Sequence, residues 1–288
     1  MTKAWIEAAR PRTLPASAAP VIAATAYAAH DGLLQWTPAL LCLLFALLAQ
    51  IASNFGNDYF DFKKGTDRPD RTGPQRAVAS GLISPRAMFM ATVAVLALAC
   101  IAGLGLVYYG GWWLVPAGAC IALFALAYSA GPYPLSYHGL GDITVFLFFG
   151  LVPVNLTYYV QTGFFALPVL WASVSIGLLS VNILLINNYR DMEEDAANRK
   201  NTTVVLFGRR FAANWYLING LAAPLFTWDV WCSTPGWRTL LPIIYLASHI
   251  ATYRALKQRE GSALNPLLGR TAANLLLFTA LLVVALIL

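Results

Sequence analysis

Nine apolar stretches, at about 13–30, 37–56, 86–108, 112–130, 142–160, 164–187, 211–230, 237–254 and 270–288, leave this chain few folds to choose from. Each is near the roughly 20 residues with which an α-helix crosses the hydrocarbon core of a bilayer. Their apolar residues run on without alternating in period two. That favours helices over a membrane barrel, the other structure that satisfies its backbone inside lipid. Composition agrees: 59% of the 288 residues are apolar and 11% charged, against about 45–50% and about 25% in soluble domains. The pattern predicts an all-α integral membrane protein, with nine transmembrane helices in a single membrane domain over 1–288.

The basic residues test the count independently. With the N-terminus inside, every Lys and Arg except Arg238 falls in the N-terminal tail or in the inner segments 57–86, 188–210 and 254–270. An error of one span would scramble that bias, which the positive-inside rule expects of cytoplasmic loops. The N-terminus is therefore cytoplasmic and the C-terminus outside. Lys3, Arg10 and Arg12 before an apolar run mimic a signal peptide, but Pro11, Pro15 and Pro20 interrupt that run, so it is a retained first span. Four scattered cysteines form no Cys-x-x-Cys and indicate neither a disulfide framework nor a zinc site. The net charge of +6 has no basic stripe on which nucleic acid could lie. It sets topology and binds an anionic ligand.

Eight of the 13 acidic residues are concentrated in two places: Asp58, Asp61, Asp67 and Asp70, then Asp191, Glu193, Glu194 and Asp195. Both clusters follow an apolar stretch, both lie on the cytoplasmic side, and the second comes four spans after the first. Two four-helix units in the same orientation, a parallel repeat plus one extra helix, account for that offset. On a helix Asn57 and Asp61 share a face, and Asn187, Asp191 and Asp195 line up over two turns. Asn54 with Asp58 has the same spacing; aligning the clusters favours Asn57 with Asn187 and Asp61 with Asp191. Such oxygen donors suit Mg²⁺, which takes one or two carboxylates, several waters and substrate phosphates. Lys63, Lys64, Arg68, Arg71 and Arg76 follow the first cluster, while Arg190, Arg199 and Lys200 accompany the second. A cation carrier would not need these positive charges, whereas a Mg²⁺-bridged diphosphate contacts metal and cations together. Solvated loop charges that only set topology are the plainer alternative.

The strings NDYFDFKKGTD (57–67) and NNYRDMEEDAANRKNT (187–202) resemble the two aspartate-rich motifs of the UbiA-type membrane prenyltransferase superfamily. WIEAARPRTLPASAAPV (5–21), RTGPQRAVASG (71–81) and LAYSAGPYPLSYHGLGD (126–142) resemble the branch that prenylates 1,4-dihydroxy-2-naphthoate in menaquinone synthesis. The likeness runs to about residue 210. It implies a nine-helix bundle around a central cavity in the bacterial cytoplasmic (inner) membrane, with the active site toward the cytoplasm. It implies Mg²⁺ held by Asn57, Asp61, Asp67, Asn187, Asp191 and Asp195, and a polyprenyl diphosphate held by Lys63, Lys64, Arg71, Arg76, Arg190 and Lys200. Ionisation of the allylic carbon–oxygen bond, attack by the naphthoate ring and loss of CO₂ would give demethylmenaquinone. The six-residue step from Asp61 to Asp67 is the branch's longer form. Ala196 and Arg199 stand where the branch commonly has Arg and Gly.

Other residues carry two readings each. Tyr128 either faces the reacting cation or is an interfacial tyrosine. His138 either accepts a phenolic proton or is an ordinary loop histidine. Arg12 either meets the acceptor's carboxylate or anchors the first span, and Gln75 either clasps the acceptor or sits in a turn. Asp142 either caps the helix it begins, the favoured reading, or is a site residue. Two rival functions remain: prenylation of another aromatic acceptor, such as 4-hydroxybenzoate or homogentisate, and cation-coupled transport. The one-sided, base-rich clusters and the lack of an inverted repeat count against transport.

Overall fold

The computed structural model describes residues 2–66, 73–233 and 236–288, which form helices with no strand among them. A short α1 (Thr2–Ala8) precedes α2 (Leu14–His30) and α3 (Trp36–Lys64). The chain then runs through α4 (Pro85–Gly110), α5 (Leu114–Ala127), α6 (Gly141–Phe146) and α7 (Val152–Thr162). A π turn at Leu147–Leu151 joins α6 to α7 as one rod. There follow α8 (Leu167–Arg190), α9 (Met192–Ala197), α10 (Thr203–Phe226), α11 (Trp228–Cys232), α12 (Leu241–Lys257) and α13 (Asn265–Ile287).

Local chemistry explains where these helices begin and end. Ser84 and Thr202 accept hydrogen bonds from Ala87 N and Val205 N at 3.3 Å each, capping α4 and α10. Pro85 then occupies the first helical position of α4, where a missing N–H costs nothing. The expected seventh span thus starts at Thr203 instead of residue 211, with a break at Gly208; Arg209 and Arg210 had masked its first turns from a hydropathy reading. Among the described residues, Trp36–Lys64, Pro85–Gly110, Gly141–Thr162, Leu167–Arg190 and Gly261–Ile287 are long and apolar enough to cross a membrane. The chain is a multi-pass membrane protein.

Helix α8 is the core post, packed against α10, α13 and the α6–α7 rod. The rod approaches closely because Gly150 faces Gly177, where a Cβ on Gly150 would collide with the backbone of α8. Helix α2, rich in buried alanine, lies against α13, α7 and α3. Helix α4 pairs with α3 and turns Met90, Leu98 and Ile101 outward, an apolar surface suited to lipid.

Candidate active site

Helices α3 and α8 both carry their charged residues only near their C-terminal ends, and those ends meet at one end of a cavity of about 470 Å³. Asn57, Asp61, Arg76, Tyr128, Asn187 and Lys200 line that end. Toward the other end the wall is apolar, with Phe45, Leu106, Leu114, Phe124, Phe148 and Leu156. Beyond α8 only Lys200 and Leu268 reach the wall among the described residues. The cavity is thus enclosed chiefly by the helices from α2 to α8.

Both acidic clusters finish in the same helix-ending motif. After Asp61, the N–H of Gly65 bonds Phe62 O (2.9 Å) and that of Thr66 bonds Asp61 O (3.1 Å). After Asp195, the N–H of Arg199 bonds Ala196 O (3.1 Å) and that of Lys200 bonds Asp195 O (2.8 Å). This is the Schellman arrangement, whose pivot residue takes a left-handed conformation. The pivots are Gly65 at φ 73° and Arg199 at φ 54°. Glycine reaches that region without strain and arginine does not, which accounts for Gly being common at the second pivot in the branch this chain resembles. By local geometry Asp61 corresponds to Asp195, one turn away from the register that sequence alignment favours.

The two motifs touch. Asn198 Nδ2 donates to Thr66 O (3.2 Å), and Asn201 N donates to Tyr137 O (3.0 Å). Tyr137 is the hub between them: its hydroxyl donates to Asp61 (3.3 Å) and meets the Thr66 hydroxyl (2.9 Å). The Lys64 and Lys200 ammonium groups stand 4.7 and 5.9 Å from its ring centroid. Nothing in its spacing singled Tyr137 out; its signal is the 126–142 block that contains it. Arg10, Ser129 and Asn188, also on the cavity wall, were missed as well.

The second cluster is wired differently from the expectation of one continuous face. Helix α8 ends at Arg190, and the chain bends at Asp191 before α9. Arg190 is buried, and its Nε and one Nη reach the two oxygens of Asp191 at 2.6 and 2.7 Å. It also donates to Asn187 (2.6 Å) and to Asn265 at the start of α13 (3.0 Å). The Arg190 guanidinium, expected to hold diphosphate, lies off the cavity wall and is bonded instead to Asn187, Asp191 and Asn265. Asp195 is buried and ion-paired with Lys200 at 3.2 Å.

Of the competing pair Asn54 and Asp58, Asn54 reaches the cavity wall and Asp58 does not. Asp58 is 1% exposed, and its oxygens accept from Ala77 N (3.1 Å) and Val78 N (3.2 Å), fixing the return loop next to Arg76. Asn54 donates to Ala9 O (2.9 Å), tying α3 to the N-terminal segment. Among the expected cations, Lys63 is exposed and Lys64 donates to Ser129 O at 2.6 Å. Arg12, Gln75 and His138 are exposed and do not line the cavity. His138 is held by Pro134 O (2.8 Å) and stacks on Tyr133. Asp67 and Arg71 lie outside the described residues. Asp142 makes no cap; its carboxylate accepts from the Thr203 hydroxyl at the start of α10.

Among the described residues no three His, Cys, Asp or Glu side chains cluster to hold a metal by themselves. The donors at the polar end are all oxygens: the cavity-lining carboxylate of Asp61, the amides of Asn54, Asn57, Asn187 and Asn188, and the buried Asp191 and Asp195 off the wall. That set fits Mg²⁺, which binds few carboxylates and completes its shell with water and phosphate.

Known proteins resemble this chain in sequence and in fold. The 1,4-dihydroxy-2-naphthoate octaprenyltransferase of Escherichia coli (strain K12) is 36% identical, over 100% of this chain and 96% of its own length. The protein of the same name from Mycobacterium tuberculosis is 40% identical, over 80% of this chain and 79% of its length. A UbiA homologue from Archaeoglobus fulgidus, solved bound to GPP and Mg²⁺, superposes with a TM-score of 0.67 at 15% identity. That likeness covers 97% of this chain and 99% of the other, and it shows a shared fold. The pattern of the UbiA prenyltransferase family matches residues 17–275, and this chain belongs to that family.

Proposed function

We propose that this protein transfers a polyprenyl group from an isoprenoid diphosphate to 1,4-dihydroxy-2-naphthoate. CO₂ and diphosphate leave, and demethylmenaquinone is left in its quinol form. The observation that carries this reading is the two-ended cavity, with anion- and metal-binding groups at one end of an apolar passage. The names of the relatives from E. coli and M. tuberculosis support the naphthoate acceptor over a benzoate or homogentisate. Transport has no support from either.

Asn57, Asp61, Asn187, Asp191 and Asp195, with Asp67, would hold Mg²⁺, as the Mg²⁺-bound family homologue suggests. When bound, Mg²⁺ supplies positive charge to a diphosphate leaving group. Arg76 and Lys200 bind the diphosphate from the cavity wall, while Lys64 adds positive charge beside Tyr137. Arg190 keeps Asn187 and Asp191 oriented, and Asp58 keeps Arg76 at the wall. Tyr128 flanks the reacting carbon with an aromatic face, and the apolar wall takes the prenyl chain and excludes water.

The five long apolar helices, with α2, α5, α10 and α12, make up nine spans in the inner membrane. The N-terminus and the polar end of the cavity face the cytoplasm. The shared ending after Asp61 and Asp195 supports two parallel four-helix repeats followed by α13 within a single domain.

Purified protein in detergent, given a polyprenyl diphosphate, 1,4-dihydroxy-2-naphthoate and competing 4-hydroxybenzoate, is expected to form only prenylated naphthoquinol. EDTA should stop the reaction and Mg²⁺ restore it. Asp61→Ala should abolish turnover in a protein that still inserts and folds. Product from the benzoate alone would overturn the acceptor, and full activity in Asp61→Ala would overturn the metal site.

A further inference from the structure

Asp142 holds a carboxylate in an environment that does not satisfy it. One oxygen accepts from the Thr203 hydroxyl, while the other, Oδ1, is fully shielded and has no hydrogen-bond partner. No ion pair to Asp142 occurs among the described residues. A buried acceptor without a donor is costly, and native proteins keep one where a ligand or a reaction uses it.

Asp142 borders a recess of about 10 Å³, space for one hydroxyl-sized group. Tyr128, Ser136, Asn188 and Lys200 line both this recess and the main cavity, so the recess abuts the cavity's polar end. The Tyr128 hydroxyl stands over the backbone at Gly141, 3.5 Å from where a Cβ on that residue would lie. Asp142 itself is off the main cavity's wall, and the recess is the space through which a substituent at the cavity's polar end would approach it.

We propose that Asp142 is the proton acceptor for the aromatic substrate's ring hydroxyl, seated in this recess, during carbon–carbon bond formation. The proposal rests on the naphthoate reading above, and its chemistry closes. The ring carbon bearing the carboxylate bonds to the allylic carbon using a ring π pair. The neighbouring hydroxyl gives its proton to Asp142 and becomes a carbonyl, leaving a β-keto acid. That acid loses CO₂, and the electron pair of the broken bond restores the ring. The oxygen then takes its proton back from Asp142, so the carboxylate is regenerated and no proton is gained or lost overall.

The anchoring role is separable from the proton role. Asp142→Asn keeps an oxygen for the Thr203 hydroxyl but cannot take a proton. Its kcat for 1,4-dihydroxy-2-naphthoate should fall by about 100-fold or more, as for loss of a general base. Calorimetric binding of a polyprenyl thiodiphosphate with Mg²⁺ should stay within about twofold, because the donor groups are untouched. An acceptor whose hydroxyl beside the carboxylate is a methoxy group should react far more slowly with the wild-type protein. In Asp142→Asn that replacement should cost little more, the signature of coupling between the two groups.

Asp142→Asn with kcat within about threefold of wild type would overturn the proposal. So would an equal methoxy penalty in both proteins. If the variant does not fold, the wild-type protein alone decides, since rapid prenylation of the methoxy acceptor rules out a proton acceptor for that hydroxyl. Failure of the wild-type protein to prenylate 1,4-dihydroxy-2-naphthoate at all would sink the acceptor reading first, and this proposal with it.

Discussion

Asp58 and Asp61 are less than one helical turn apart and face different neighbours. Asp61 is on the cavity wall, whereas Asp58 faces the loop at 73–83 and satisfies two backbone N–H groups there. Asp58→Ala strands both donors in a buried place. It should lower stability by about 1–3 kcal/mol and reduce turnover through Arg76 with Mg²⁺ affinity unchanged; denaturant melts and a Mg²⁺ titration would check this. Asn54–Asp58 and Asn57–Asp61 have identical spacing, so only the alignment of the two clusters favours Asn57–Asp61, and the sequence leaves the role of Asp58 open. What separates them is the path of the loop, which periodicity does not encode. Arg190 makes the same point: charge and neighbourhood suggest a phosphate ligand, whereas the structure bonds it to Asn187, Asp191 and Asn265.

At the scale of elements, apolar length was the strongest signal, and it located helices such as α4 and α8 to within a few residues. It failed where polar residues sit inside a helix. Helix α3 runs two turns past its apolar stretch to Lys64, and α10 starts early because Thr202 caps it ahead of two arginines. The matched Schellman endings depend on hydrogen bonds no hydropathy scan sees. Their pivots give a direct test. Arg199→Gly removes a left-handed arginine at no cost to the motif's backbone bonds. The gain from relieved strain exceeds glycine's loss of chain entropy, so thermal stability should rise by up to about 1 kcal/mol. Gly65→Val should do the opposite and loosen the contact between Thr66 and Asn198. Thermal melts of both variants in one detergent would decide it.

For the whole molecule, the distribution of basic residues predicts an orientation in the membrane, and that prediction is open to a simple check. Cysteine introduced at Ser262, exposed between α12 and α13, should react with an impermeant maleimide only from the cytoplasmic face. One at Thr239, exposed before α12, should react only from the other side. Labelling of both from one face would overturn the topology. The off-centre position of the cavity, bounded mostly by α2 to α8, was not legible, since a repeat in sequence suggests symmetric use of both halves. The apolar wall has an energetic meaning of its own. A prenyl tail leaving the bilayer for that wall exchanges one hydrocarbon surface for another, so its transfer is nearly neutral. Grip on the donor therefore resides in its charged head. When the head departs as diphosphate, the product is held by little more than shape and can partition back into the lipid. Preference for one tail length over another must then be a steric matter, decided by where the passage ends and not by how strongly it binds.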